Sequence, residues 1–171
     1  MSIPAKLLFG LSALAMPGMA HAATVRGPTP SLEFAFSELV TLGKEITPGA
    51  TAYGKRNIVP ITGGTFEGPI IRGEIIPGGW DWQLQRADGC SDVKADYMLR
   101  TDDGVIINIL NQGALCPPKP GEPLTARTIV RFEAAVGKYD WLSKHAFVGT
   151  LELARAPDGG PAVRIGIWMV K

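Results

Sequence analysis

Gly63-Gly64-Thr65-Phe66-Glu67-Gly68-Pro69-Ile70-Ile71-Arg72-Gly73-Glu74-Ile75-Ile76-Pro77-Gly78-Gly79-Trp80-Asp81-Trp82 is the stretch whose reading decides the fold. Glycine pairs stand at both ends of a β-branched run, so it reads as turn, strand, turn, strand. Asp81 falls between two indole-bearing residues, and the segment reads as one wall of a pocket.

Outward from that stretch the same grammar repeats. On the N-terminal side Leu32, Phe34 and Phe36 alternate with Glu33, Ala35 and Ser37, the period of a half-buried strand, which Val40-Thr41-Leu42 extends. Residues 43–55, with Pro48-Gly49 and Tyr53-Gly54, read as a loop over one end of a barrel or sandwich, and 56–62 as a short strand entering the Gly63-Gly64 turn. On the C-terminal side strands are expected over 80–86, 93–101, 105–111, 124–134, 146–155 and 163–170. Asp102-Asp103-Gly104 gives a strong hairpin signal, and 137–142 reads as a short turn or a single helical turn. No segment holds a helical period over three turns. About nine short strands at this spacing predict an all-β fold: a single antiparallel β-barrel, largely up-and-down, whose closure removes exposed edges.

Residues 1–22 read as a cleavable signal peptide: Lys6, the apolar run 7–16, the breakers Pro17-Gly18, and Ala20-His21-Ala22 as a small-x-small cleavage site. Residues 23–171 then form the barrel domain, with a periplasmic or secreted location expected and no integral membrane segment in the mature chain. The 17 basic side chains fall to 16 when Lys6 leaves with the signal, against 16 acidic ones. That balance gives no electrostatic footprint for nucleic acid. A transmembrane barrel is disfavoured by charge on the strand faces, with Arg72 and Glu74 on one strand and Lys94, Asp96 and Arg100 on another. Cys90 and Cys116 are spaced far outside a C-x-x-C pattern and flank strand ends. In an oxidising compartment they form either one cross-link or two separate thiols, and the sequence leaves both open.

The chemistry is bounded first by exclusion. His21 leaves with the signal, so His145 is alone, which removes any metal site built from several histidines and leaves one imidazole for any nucleophile. Pro69-Ile70 stand where a phosphate loop needs Lys and Ser or Thr. No cofactor is expected. Carboxylates remain: Asp81, which indole neighbours would desolvate and raise in pKa, and Glu133 beside Phe132 are the candidate acid–base residues. The plainer reading of Asp81 ties it to the backbone of the Pro77-Gly78-Gly79 turn. Arg56, Trp80, Trp82, Tyr97, Arg100 and Trp141 are the candidate ligand-binding residues. The tryptophans and Tyr97 would supply apolar contact, and the arginines either an anion clamp or partners for nearby glutamates.

The ordered motifs resemble one family, the bacterial and fungal proteins called domain of unknown function 3237. The resemblance runs through Gly54-Lys55-Arg56, Ile61-Thr62-Gly63-Gly64, Gly68-Pro69, Gly73, Pro77-Gly78-Gly79-Trp80-Asp81-Trp82 and Asp88-Gly89. It continues through Tyr97, Thr101-Asp102-Asp103-Gly104, Arg131-Phe132-Glu133 and Tyr139-Asp140-Trp141-Leu142. It implies a one-domain antiparallel β-barrel similar to small-molecule-binding barrels, with no settled activity. This chain departs from the family's pattern at Ser143, where Asn follows Trp-Leu, and at Asp96, where Arg often precedes the tyrosine.

The expected function is an exported β-barrel that binds a small, partly apolar, aromatic or oxygenated molecule. The alternatives are a cofactor-independent lyase, isomerase or hydrolase using Asp81 or Glu133, and an envelope structural protein without a pocket.

Overall fold

The computed structural model describes residues 27–171. The signal-peptide reading of residues 1–22 lies outside the described residues.

Nine strands and one short helix follow in order: β1 (Leu32–Leu42), β2 (Ile46–Thr51), β3 (Gly54–Glu67), β4 (Arg72–Gln85), β5 (Ser91–Thr101), β6 (Ile106–Leu115), β7 (Thr125–Ala134), α1 (Trp141–Lys144), β8 (Phe147–Arg155) and β9 (Pro161–Val170). All pairings are antiparallel in the order β1-β9-β8-β7-β6-β5-β4-β3-β2, and β1 also pairs with β3. Closure is therefore between β1 and the second half of β3, while β2 continues the line of β1 and covers the first half of β3. Among the described residues the outer edge of the short strand β2, 6 residues long, is left unpaired beside that seam.

The nine strands are reached by a different route from the sequence reading. Gly63-Gly64 and Pro77-Gly78-Gly79 are not turns. They lie inside two long strands, at register shifts between Ile61 and Thr65 and between Ile76 and Trp80. The turn between those strands is at residues 68–71, where the Gly68 N–H donates to the Ile71 carbonyl at 2.8 Å. Two consecutive positive-φ glycines bend β3 against its neighbour β1; a Cβ on Gly64 would lie 2.0 Å from the Leu39 carbonyl oxygen. Glycine pairs mark a turn or a bulge with the same residues, and here closing the barrel requires the bulge. Residues 46–51, read as loop, pair with β3 and form β2.

Inward-facing residues divide the barrel along its axis. Toward the end holding the β5–β6 turn and α1, the interior is packed solid. Phe36 meets Phe66 and Phe132 at 5.6 and 5.8 Å between ring centroids, Phe132 meets Phe147 at 5.0 Å, and Leu99, Ile107, Ile109, Ile167 and Leu142 fill the rest. Toward the opposite end, which carries the β4–β5 and β8–β9 turns, the inward residues are smaller and a cavity remains. Cys90 and Cys116 form a disulfide that ties the β4–β5 turn to the loop after β6 at that hollow end.

The clamp spans 26 residues of sequence, a closure the chain-entropy model values at about 3.5 kcal/mol. Replacing both cysteines by serine should lower the unfolding free energy by about that amount in chemical denaturation. An unchanged midpoint would show that the cross-link does not contribute to stability.

Candidate functional site

The cavity occupies about 120 Å³ inside the hollow half. Val40, Leu42, Ile61, Leu151, Val163 and Ile165 supply an aliphatic wall, and Asp81, Gln83, Asn111 and Thr128 are its polar members. Parity explains each position. Asp81 stands opposite Val59 on β3 and Ala95 on β5, all on the inner face. Asn111 continues the inward row Ile107, Ile109, and Thr128 lies between inward Ala126 and Val130. Gly113 and Gly149 face Thr128 from both sides, and a Cβ at Gly149 would sit 2.2 Å from the Thr128 hydroxyl oxygen, so these glycines make its room.

Asp81 accepts two hydrogen bonds, from the Gln83 side-chain amide at 2.7 Å and from the Lys94 backbone N–H at 3.0 Å. Burial nevertheless dominates and raises its pKa, because losing water disfavours the charge by more than these two donors restore. The desolvation expected of Asp81 is present but its cause differs. Trp80 and Trp82, the residues on either side, are 40% and 45% exposed on the outer wall, since neighbouring strand residues point to opposite faces. Their expected role as pocket lining is corrected accordingly. Nor does Asp81 bind the Pro77–Gly79 segment, whose part is to make space for Tyr97: a Cβ on Gly79 would lie 2.4 Å from the Tyr97 Cβ.

Where the packed and hollow halves meet, the Tyr97 hydroxyl donates to Glu38 Oε2 at 2.6 Å. Glu38 is 1% exposed and its other oxygen, Oε1, has no partner among the described residues. Burial pushes its pKa up to about 7, with the Tyr97 hydrogen bond acting in the opposite sense. The Tyr97 phenol is itself raised, first by burial and then by the Glu38 charge, while the Asn111 side chain acts to lower it. Three further buried atoms, Asn111 Oδ1, Thr128 Oγ1 and Trp168 Nε1, also lack a partner among the described residues.

Of the residues singled out from sequence, Asp81 and Tyr97 are interior and the rest are elsewhere. Arg56 lies on the face of β3 opposite to Val59 and reaches the Gln83 carbonyl at 3.5 Å. Arg100 pairs with Glu74 at 2.8 Å on the outside, and Arg72 likewise with Asp102. Glu133 is exposed on the outer face of β7 opposite Asn108, because its neighbour Phe132 takes the inward position. Trp141 packs on Phe147 at 5.9 Å beside the solid half, far along the axis from the cavity. Asp103 is a hairpin residue that accepts from Thr101, Tyr139 and Lys138, which hold its carboxyl well below the usual range. His145 is exposed and its Nδ1 meets the Trp141 carbonyl at 2.8 Å.

Glu38, Asn111 and Thr128 were missed. Their signal is a polar residue at an apolar parity: Phe36-Ser37-Glu38-Leu39-Val40 puts the carboxylate on the same face as Phe36 and Val40. The alternation read from Leu32, Phe34 and Phe36 already runs on to Glu38 and Val40, although a bulge between Phe34 and Phe36 turns Phe34 itself outward.

The family model described as protein of unknown function DUF3237 matches residues 30–170. The chain belongs to this family. A UPF0311 protein of Bradyrhizobium diazoefficiens is 35% identical over 135 residues, covering 72% of this chain and 88% of that relative. Among solved structures, a β-barrel-like protein of Acinetobacter baumannii is similar with a TM-score of 0.77 and 30% identity, over 86% of this chain and 100% of that one. A protein described as an enzyme, from Penicillium herquei, is similar with a TM-score of 0.64 and 26% identity, over 87% of this chain and 100% of that one. The fold of this DUF3237 chain is thus shared with these two solved structures.

The Glu38 environment has a measurable consequence. Its folded pKa of about 7 lies above the ordinary glutamate value of 4.5, so folding favours the protonated acid. Stability should fall as pH rises from about 4.5 to 7, by roughly 3 kcal/mol at about 1.4 kcal/mol per pH unit. Glu38→Gln should lose most of that slope, leaving the smaller contribution of the same sign from Asp81. An unaltered slope in the variant would place its source elsewhere.

Proposed function

We propose that this DUF3237 barrel binds a small, partly apolar, oxygenated molecule inside its hollow half. One observation carries the reading: a largely aliphatic cavity is lined by Asn111 and Thr128, whose buried side-chain oxygens have no partner among the described residues. A buried acceptor or hydroxyl left unpaired costs about 1–3 kcal/mol, a penalty that a ligand with matching polar atoms removes. The cavity also weighs against a purely structural envelope role, which would favour an interior packed solid along its whole length. We further propose that the protein acts outside the cytoplasm; the N-terminal sequence and the Cys90–Cys116 disulfide both support an oxidising compartment.

A second reading is a cofactor-independent acid–base enzyme. It is favoured by the similarity to a protein described as an enzyme and by the carboxyl of Asp81 at the cavity wall, whose pKa burial raises. Glu133, on the outer wall, has no part in it.

Screening a small-molecule library by thermal shift should find stabilising ligands whose effect is lost in Ala95→Phe, where the added ring fills the cavity, and kept in Trp82→Ala, where only the outer wall changes. Ligands lost in Trp82→Ala and kept in a folded Ala95→Phe would move the site to the surface. If turnover of a bound compound is found, Asp81→Asn should slow it by on the order of a hundredfold without loss of binding.

A further inference from the structure

We propose that the cavity selects an uncharged single-ring molecule carrying a hydroxyl donor, and that the Asn111 side-chain carbonyl reads that hydroxyl. The inference rests on the binding-cavity reading and specifies the chemistry of the occupant.

Size comes first. A volume of about 120 Å³ is close to the roughly 150 Å³ apolar cavity known to hold one benzene ring. A single six-membered ring matches that volume better than a fused ring system does.

Charge comes second. Among the described residues that line the cavity there is no lysine, arginine or histidine, and Asp81 is the only ionisable one. An anion brought there would lose its hydration with no cation to replace it and would face a carboxyl group. A cation gains little, because both Asp81 oxygens already accept hydrogen bonds and burial favours the neutral acid. The arginines that sequence reasoning offered as an anion clamp lie on the outer wall or the opposite strand face.

Hydrogen-bond polarity comes third. Asn111 is 3% exposed, lines the cavity, and its Oδ1 has no partner among the described residues. A carbonyl oxygen only accepts, so a ligand that completes it must bring an O–H or N–H. Thr128 stands diagonally across the β6–β7 pair from Asn111, since Asn111 faces Val130 and Gly113 faces Thr128. Its hydroxyl both donates and accepts, so it tolerates either end of a hydroxyl. The remaining wall is aliphatic and suits a ring.

Titration calorimetry of the folded domain with four probes of one size tests this: phenol, toluene, benzoate and benzylammonium. The expected order has phenol tightest, at least tenfold over benzoate and benzylammonium and several-fold over toluene. In Asn111→Leu, nearly equal in volume, the preference of phenol over toluene should vanish while toluene still binds. In the wild type, the Asn111 side-chain amide NMR signal should shift with phenol and not with benzoate. Toluene, benzoate or benzylammonium binding as tightly as phenol in the wild type would overturn the selectivity and leave the cavity reading standing. A phenol preference that survives in Asn111→Leu would remove Asn111 as the reader. No binding of any of the four at millimolar concentration would overturn both the selectivity and the cavity reading. Should the variant fail to fold, the wild-type order and the amide signal decide the matter.

Discussion

The hydrogen bond from Tyr97 to Glu38 joins strands whose residues are 59 positions apart and does so in the interior of a closed barrel. A carboxyl group in such a place is costly, and it is tolerated because the phenol donates to one oxygen and burial keeps the acid substantially protonated near neutral pH. Its level along the axis is also where large aromatic packing stops and small or polar inward residues begin. The glycines that bend β3 and β4 serve that arrangement: Gly64 lets β1 approach closely enough to close the barrel, and Gly79 lets the β5 backbone approach at Tyr97.

From this constraint the two halves acquire different work. The solid half supplies the area that holds the barrel together, with Phe36, Phe66, Phe132 and Phe147 in mutual contact and Leu142 of the short helix against them. The hollow half contributes less packing and is tied by the Cys90–Cys116 link across its rim. Polar groups lie where packing is thin, and Asp81, Asn111 and Thr128 project there from three different strands of one continuous sheet. A site built on strands rather than loops holds its groups at fixed spacing, so a ligand meets a preformed hydrogen-bond pattern.

Much of the fold was legible in the sequence because period-two alternation and glycine-containing turns follow directly from strand geometry. The Asp102-Asp103-Gly104 hairpin, the strand spacing and the largely up-and-down order all follow from it. Glycine pairs inside long strands were not distinguishable from turns, because φ > 0 serves both, and only the closing of β1 on β3 decides for a bulge at Gly63-Gly64. The site was legible only in part for a related reason. Asp81 stood out because of its aromatic neighbours, yet those neighbours necessarily face the other way; Trp80 and Trp82 decorate the wall whose inner face carries Asp81. Glu38 carried a readable parity signal two residues on from Phe36, and Asn111 and Thr128 carried the same signal within otherwise apolar rows.

The central claim is that the barrel interior, not its aromatic outer surface, receives the ligand. Crystals soaked in 4-bromophenol test it directly through the anomalous signal of bromine. The account predicts a bromine peak inside the barrel, with the ligand hydroxyl within hydrogen-bond distance of Asn111 Oδ1 and the ring against Val40, Ile61 and Val163. Bromine found only on the outer wall beside Trp80 and Trp82, with the interior unchanged, would contradict it.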